Sequence, residues 1–199
     1  MTANEIEKLI NSISKLPGIG RKSAQRITLY LLNNKENSLL PLAKSLTDAS
    51  NKILKCKNCG NIDTISPCSL CENSKRDSQK ICVVEDISDL WTFERIGFFQ
   101  GLYHILGGSL SAINGIGTNE LTINKLIERV ENQNVKEVIL ALSTTVEGQT
   151  TTHVISDKLE SIKGLIVTRL AQGVPIGGEV HYLDENTLNA AFESRKKIN

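Results

Sequence analysis

The sequence predicts an α/β protein: a basic helical segment, a four-cysteine knuckle, then a mainly parallel sheet with flanking helices and a closing helix. Three observations carry this. Apolar runs of strand length alternate with segments of helical period from residue 79 onward. Residues 3–31 show helical period alone. Between them stand two C-x-x-C pairs, Cys56/Cys59 and Cys68/Cys71, in a chain with five cysteines. The expected division is 1–54, 55–78, 79–174 and 175–199.

Ile6, Leu9, Ile10, Ile13 and Leu16 recur at helical spacing, which predicts an amphipathic helix over 3–15. "LPGIGRKSAQRITLYLL" breaks it at Pro17-Gly18 and restarts a helix near Lys22, with Ala24, Ile27 and Leu31 on one face. Helix, Pro-Gly-Ile-Gly, helix is the pattern of a helix-hairpin-helix. Gly18 and Gly20 let the backbone approach a phosphate, and the free N–H groups of the second helix point at it. Lys22 and Arg26, one turn apart, add charge there. An ordinary hairpin with two solvated cations is the plainer alternative. A phosphate loop of the NTPase kind fails, because no G-K-[ST] occurs and a helix precedes the turn. Contacts of this kind sense backbone charge, so the expected DNA binding is independent of base sequence.

Cys56, Cys59, Cys68 and Cys71 offer four thiolates, the tetrahedral set that suits zinc. Four protein ligands leave no open position, so the expected metal is structural. The knuckle holds only Ile62, Ile65 and Leu70 as apolar anchors. Burial at roughly 1.5–3 kcal/mol each cannot order it, whereas apparent zinc binding of about 10–16 kcal/mol can. The expected role is a staple that stiffens the hairpin segment against the α/β part. Cys82 reads as an inert buried side chain.

After the knuckle, "KICVVED" is a buried strand and Ser88 to Ile96 a helix carrying Trp91, expected in the core or an interface. "GLYHIL" is a strand, followed by a glycine-rich loop; Leu121 to Val130 are helical and "VKEVILALS" is the third strand. Thr151 to Leu159 are helical, "GLIVTRLA" is the fourth strand, "VPIGGE" a turn and "LNAAFESRKK" the closing helix. "VHYLDE" looks like the strand-plus-acid half of a nucleotide site, but no phosphate loop accompanies it. His104, His153 and His181 are isolated and read as structural. In parallel sheets function gathers at the carboxyl ends of the strands. Those ends offer Glu85, Asp86 and Asp89, then Ser143 to Glu147.

Charge is distributed unevenly. The net charge is +1, but residues 1–60 carry ten Lys/Arg against four Asp/Glu, while residues 81–199 carry ten against fifteen. A basic front and acidic rear suggest a polyanion site near the N-terminus and other work behind it. No apolar leader and no run of membrane-spanning length occur, so a soluble, cytoplasmic protein in a reducing compartment is expected.

The P-G-I-G hairpin, the four cysteines, "VVED" and the ending "TRLAQGVPIGGEVHYLDENTLNAAFESR" together resemble the RecR family of bacterial recombination mediators, over nearly the whole chain. The resemblance implies a Toprim domain for the α/β part, the fold shared by topoisomerases and primases. It implies nucleoid-associated, non-enzymatic work: DNA binding, pairing with RecO and RecF, and loading of the recombinase RecA at gaps. It also implies a ring able to surround duplex DNA, a homo-oligomer expected as a tetramer assembled from dimers. The family's DNA contacts fall on Lys22 and Arg26, its metal ligands on Cys56, Cys59, Cys68 and Cys71. A magnesium-dependent Toprim enzyme cutting or joining DNA is the rival. That chemistry needs a glutamate, which Glu85 supplies, and a D-x-D metal pair, which the chain lacks. Ser143-Thr144 stands where the family has Asn-Pro, and Gln149 where an acid is frequent. Any magnesium is therefore expected to bind weakly, through Glu85, Asp86, Asp89 and Glu147, on a surface better suited to a basic partner.

Overall fold

The computed structural model describes residues 4–197. The chain divides into two compact units, Met1–Ile53 and Leu54–Asn199.

The first unit is helical: α1 (Asn4–Ser14), α2 (Arg21–Asn33), a π-helical turn (Lys35–Leu39) and α3 (Leu40–Lys52). Its small core takes Ile10 from α1 and Ala24, Thr28 and Leu31 from α2. The buried stripe of α2 is thus Ala24, Thr28, Leu31, with Ile27 at its exposed edge rather than on it. α3 buries none of its residues.

The second unit begins with the knuckle: β1 (Leu54–Lys55), antiparallel to β2 (Ile62–Asp63), then the single turn α4 (Ser69–Glu72). The sheet follows as β3 (Asp77–Val84), α5 (Ile87–Ile96), β4 (Gly101–Ile105), α6 (Ile123–Asn132), β5 (Glu137–Leu140), α7 (Val146–Leu159) and β6 (Ile166–Arg169). Strand order is β4-β3-β5-β6 and every pairing in that sheet is parallel. β3 lies between β4 and β5, and its second half, Ile81 to Val84, is buried on both faces. Ile81 and Val83 join one apolar layer with Leu126, Val130 and Ile155, while Cys82 and Val84 join another with Leu90 and Tyr103. A strand buried on both sides reads as an unbroken apolar run, which is why "ICVV" was legible. Burial pushes the Cys82 thiol up to about 12, which keeps it inert.

Of the two places expected for Trp91, the core is excluded, since it is 55 % exposed on α5. "VHYLDE" contains no strand: Val180–Tyr182 form one 3-10 turn, and Asp184 accepts the Thr187 backbone N–H at 3.0 Å as N-cap of α8 (Glu185–Glu193). Its carboxylate caps a helix, so the nucleotide-site likeness fails.

His104 gives the core a pH dependence. It is 2 % exposed on β4, with Nε2 2.9 Å from the Thr122 hydroxyl. Burial, then the positive charge of Arg129, pull it down to about 4; Thr122 pulls upward, and Lys125 adds the smallest push down. The unfolded chain takes up this proton near pH 6.5, the folded chain only near 4. The stabilisation is therefore complete above pH 6.5 and is lost as pH falls toward 4, by about 3 kcal/mol in all. The prediction is that urea denaturation between pH 7 and 4.5 shows this slope and that His104→Gln flattens it. An equal slope in the variant contradicts the assignment.

Candidate nucleic-acid interface, cysteine centre and acidic strand ends

The hairpin follows from local chemistry. Gly18 has φ +75°, a left-handed conformation that side chains resist, and it reverses the chain after α1. Gly20 has φ −80° and serves as N-cap of α2 with no side-chain cap, so among the described residues no capping side chain accepts from the first-turn N–H groups. Arg21, the first cation after the turn, is committed to structure: it donates to Asn11 Oδ1 at 2.9 Å and pairs with Glu7 at 2.8 Å, tying α2 to α1. Lys22 and Arg26 are exposed, one turn apart, and form no ion pair among the described residues. Two exposed cations thus stand beside the uncapped positive end of the α2 dipole.

The four cysteines converge. Their sulfurs lie within 4.8 Å of one another, with Cys56–Cys71 at 3.9 Å and Cys59–Cys68 at 3.5 Å. A tetrahedral zinc with bonds of about 2.3 Å needs sulfur separations of about 3.8 Å, so the donor set fits. The Cys68 backbone N–H donates to Cys56 Sγ at 3.3 Å and that of Asn61 to Cys59 Sγ at 3.5 Å, fixing the sulfurs from behind. Burial raises Cys56, but the backbone N–H groups of Cys59, Cys68 and Asn58 outweigh it and bring the thiol to about 7. Cys59 is raised by its neighbour Cys71 and by burial, Cys68 by burial to about 11. Asp63 locks the second turn by accepting the Ser69 N–H and hydroxyl, each at 2.8 Å. The knuckle is docked on the sheet: the Ile105 N–H donates to Cys59 O at 2.8 Å, and Leu70 packs against both the cysteines and the sheet layer.

The acidic strand ends are less open than their composition suggests. Glu85 Oε1 accepts the Ser143 backbone N–H at 2.6 Å, a contact across the β3–β5 boundary. Asp86 is the N-cap of α5, accepting from Ser88 and Asp89 N–H while Asp89 accepts from Asp86 N–H, a reciprocal capping box. Ser88's hydroxyl holds Asp86 below the usual carboxylate range; burial, with the charges of Asp86 and Glu85, pushes Asp89 above it. Glu85 and Asp89 line one cleft with Ser143, while Glu147 lines a different one with Leu110 and Ile113. Among the described residues, the donor atoms of the four cysteines converge as a metal site and those of the four acids do not.

The contacts missed by sequence reasoning are long-range or local compensations. Arg21–Glu7 had a signal, a cation and an acid on facing helices; Glu85–Ser143 had none.

The chain matches the family models "RecR, helix-hairpin-helix" over residues 6–50, "Toprim domain" over 79–171 and "RecR, C-terminal" over 173–196. It is 53 % identical over 194 residues to a recombination protein RecR of Hyphomonas neptunium, covering 98 % of this chain and 96 % of that one. It is 50 % identical over 196 residues to the protein of that name from Parvibaculum lavamentivorans (98 % of each), and 48 % over 194 residues to that from Ehrlichia canis (98 % and 99 %).

Proposed function

The chain belongs to the RecR family of recombination proteins, which gives it a role in recombinational repair, and from that premise we propose a non-enzymatic, sequence-independent DNA clamp. The carrying observation is the unpaired Lys22–Arg26 pair beside the uncapped start of α2. It grips phosphates and ignores bases.

One hairpin supplies few phosphate contacts, so a single subunit binds weakly at physiological salt. Several hairpins around one duplex raise affinity by about 10²–10⁴ through effective concentration. Exposed apolar side chains support assembly: Leu29, Tyr30, Leu42 and Leu46 on the helical unit, and Ile176, Tyr182 and Phe192 in the C-terminal segment. The assembly is the ring-shaped tetramer, built from dimers, that the family resemblance implies. The cysteine centre holds zinc as a structural ion. Glu85, Asp89 and Glu147 face a basic partner, RecO or RecF; Asp86 caps α5, and among the described residues the four acids do not gather as a magnesium site. The protein works in the cytoplasm, and no described helix is long and apolar enough to cross a membrane.

No strand cleavage is expected. The chain has no D-x-D pair, and Asp86 is occupied as a cap. Supercoiled plasmid incubated with protein and magnesium should stay supercoiled. Nicking that disappears in Glu85→Gln would overturn the non-enzymatic reading.

A further inference from the structure

A second cationic feature lies far in sequence from the hairpin, wholly inside the sheet-bearing unit. Lys125, Glu128, Arg129 and Asn132 share one stripe of α6 at i, i+3, i+4 and i+7. With Lys57 and Asn58 from the first cysteine turn, they line an open cavity of about 310 Å³.

Arg129 is the telling residue. It is only 7 % exposed, and its guanidinium reaches neutral acceptors, Tyr103 O at 2.6 Å through Nη1 and Gln133 Oε1 at 3.0 Å through Nε. No carboxylate pairs with it among the described residues, and none pairs with Lys57 or Lys125. The cavity therefore gathers three cations against one carboxylate, Glu128, which neutralises none of them at ion-pair distance. A charge withdrawn from water calls for a counter-charge. Its field already reaches inward: Arg129 and Lys125 both push His104 down.

The donors differ in kind and direction: a rigid guanidinium, two flexible ammonium groups and the amides of Asn58, Asn132 and Gln133. A tetrahedral oxyanion with several acceptor oxygens uses such a set more fully than a planar carboxylate. The open mouth admits a group that remains attached to a chain. We propose that this cavity binds a backbone phosphate of nucleic acid, a second grip on the sheet-bearing unit that supplements the hairpin. It rests on the DNA-binding reading above and extends it to residues in which that reading has no part.

The test uses the full-length protein with Lys57→Ala and Lys125→Ala together. Both side chains are exposed and unpaired, so the fold should be preserved; Arg129, bonded to the β4 backbone, is left in place. Anisotropy titration of a short duplex at several salt concentrations should show affinity lowered roughly tenfold and the slope of log K against log salt reduced by about 2. The same loss should add to that of Lys22→Ala/Arg26→Ala. Unchanged affinity and slope in both backgrounds would overturn the cavity's assignment while leaving the hairpin's intact. If instead the hairpin variant binds like wild type and the lysine variant does not, the hairpin reading falls and the cavity stands. Inorganic phosphate, at matched ionic strength, should raise the melting temperature of the wild type but not of the lysine variant. A rise with unchanged DNA affinity would mark a free-phosphate site and refute the nucleic-acid assignment.

Discussion

Lys22→Ala with Arg26→Ala should weaken DNA binding by about tenfold or more near physiological salt, and by the same factor for every duplex sequence. Both side chains are exposed on α2 and have no partner among the described residues, so their removal should leave the melting temperature close to wild type. Each engaged hairpin loses two phosphate contacts, which should lower the salt slope by about 2 per subunit in contact. Arg21→Ala separates charge from structure. It loses an exposed ion pair to Glu7 and a bond to Asn11, so it should loosen the α1–α2 hairpin as well as lower affinity. A loss confined to some sequences in the Lys22/Arg26 variant would mean base readout and contradict the mechanism.

Cys68→Ser should abolish stoichiometric zinc, since Cys68 is fully buried among the other three sulfurs and a hydroxyl is a poor fourth ligand. Apart from the metal, its apolar anchorage is thin: Leu70 packs against the sheet layer, but Ile65 is 45 % exposed and Ile62 half-buried. Losing an ion worth about 10–16 kcal/mol of apparent binding should therefore release the segment. Limited proteolysis should cut between residues 54 and 77, and far-ultraviolet dichroism should show the parallel sheet retained, because its two apolar layers do not include the cysteine cluster. DNA affinity should fall, since this segment joins the hairpin unit to the sheet unit in sequence and carries Lys57. Cys82→Ala, altering a cysteine inside the sheet layer, should keep full zinc content. Unchanged protease sensitivity and DNA affinity after metal loss would remove the knuckle from the mechanism.

How much of this was legible depended on whether a residue's neighbours in space repeat in sequence. The central strand announced itself because both faces are buried, and α6 because Ile123, Leu126 and Val130 form a buried stripe. The cysteines announced themselves because knuckle spacing is a local constraint. α3 was silent for the converse reason: it buries nothing, so its apolar residues mark no core face. The start of α7 at Val146 was obscured by Gly148, which looks like a helix breaker. Gly148 is there because Ser143 O and Oγ occupy the space a side chain would need, while Thr145 Oγ1 caps the helix by accepting the Gly148 N–H at 3.2 Å. The acids at the strand ends were found as residues, but their commitments were not. Asp86 as a cap was readable from "EDISD", whereas Glu85 meeting the N–H of Ser143, 58 positions away, is a product of strand order alone. Arg129 could have been noticed as a cation on the edge of an apolar stripe, a pattern that charge totals hide.

The central claim is that grip comes from several hairpins held around one duplex, without chemistry on the DNA. Sedimentation equilibrium of the full-length protein, with and without a labelled duplex at physiological salt, tests it most directly. The account predicts that the DNA sediments with several protein subunits and that dilution below assembly releases protein and DNA together. A single subunit bound to the duplex with undiminished affinity would contradict it.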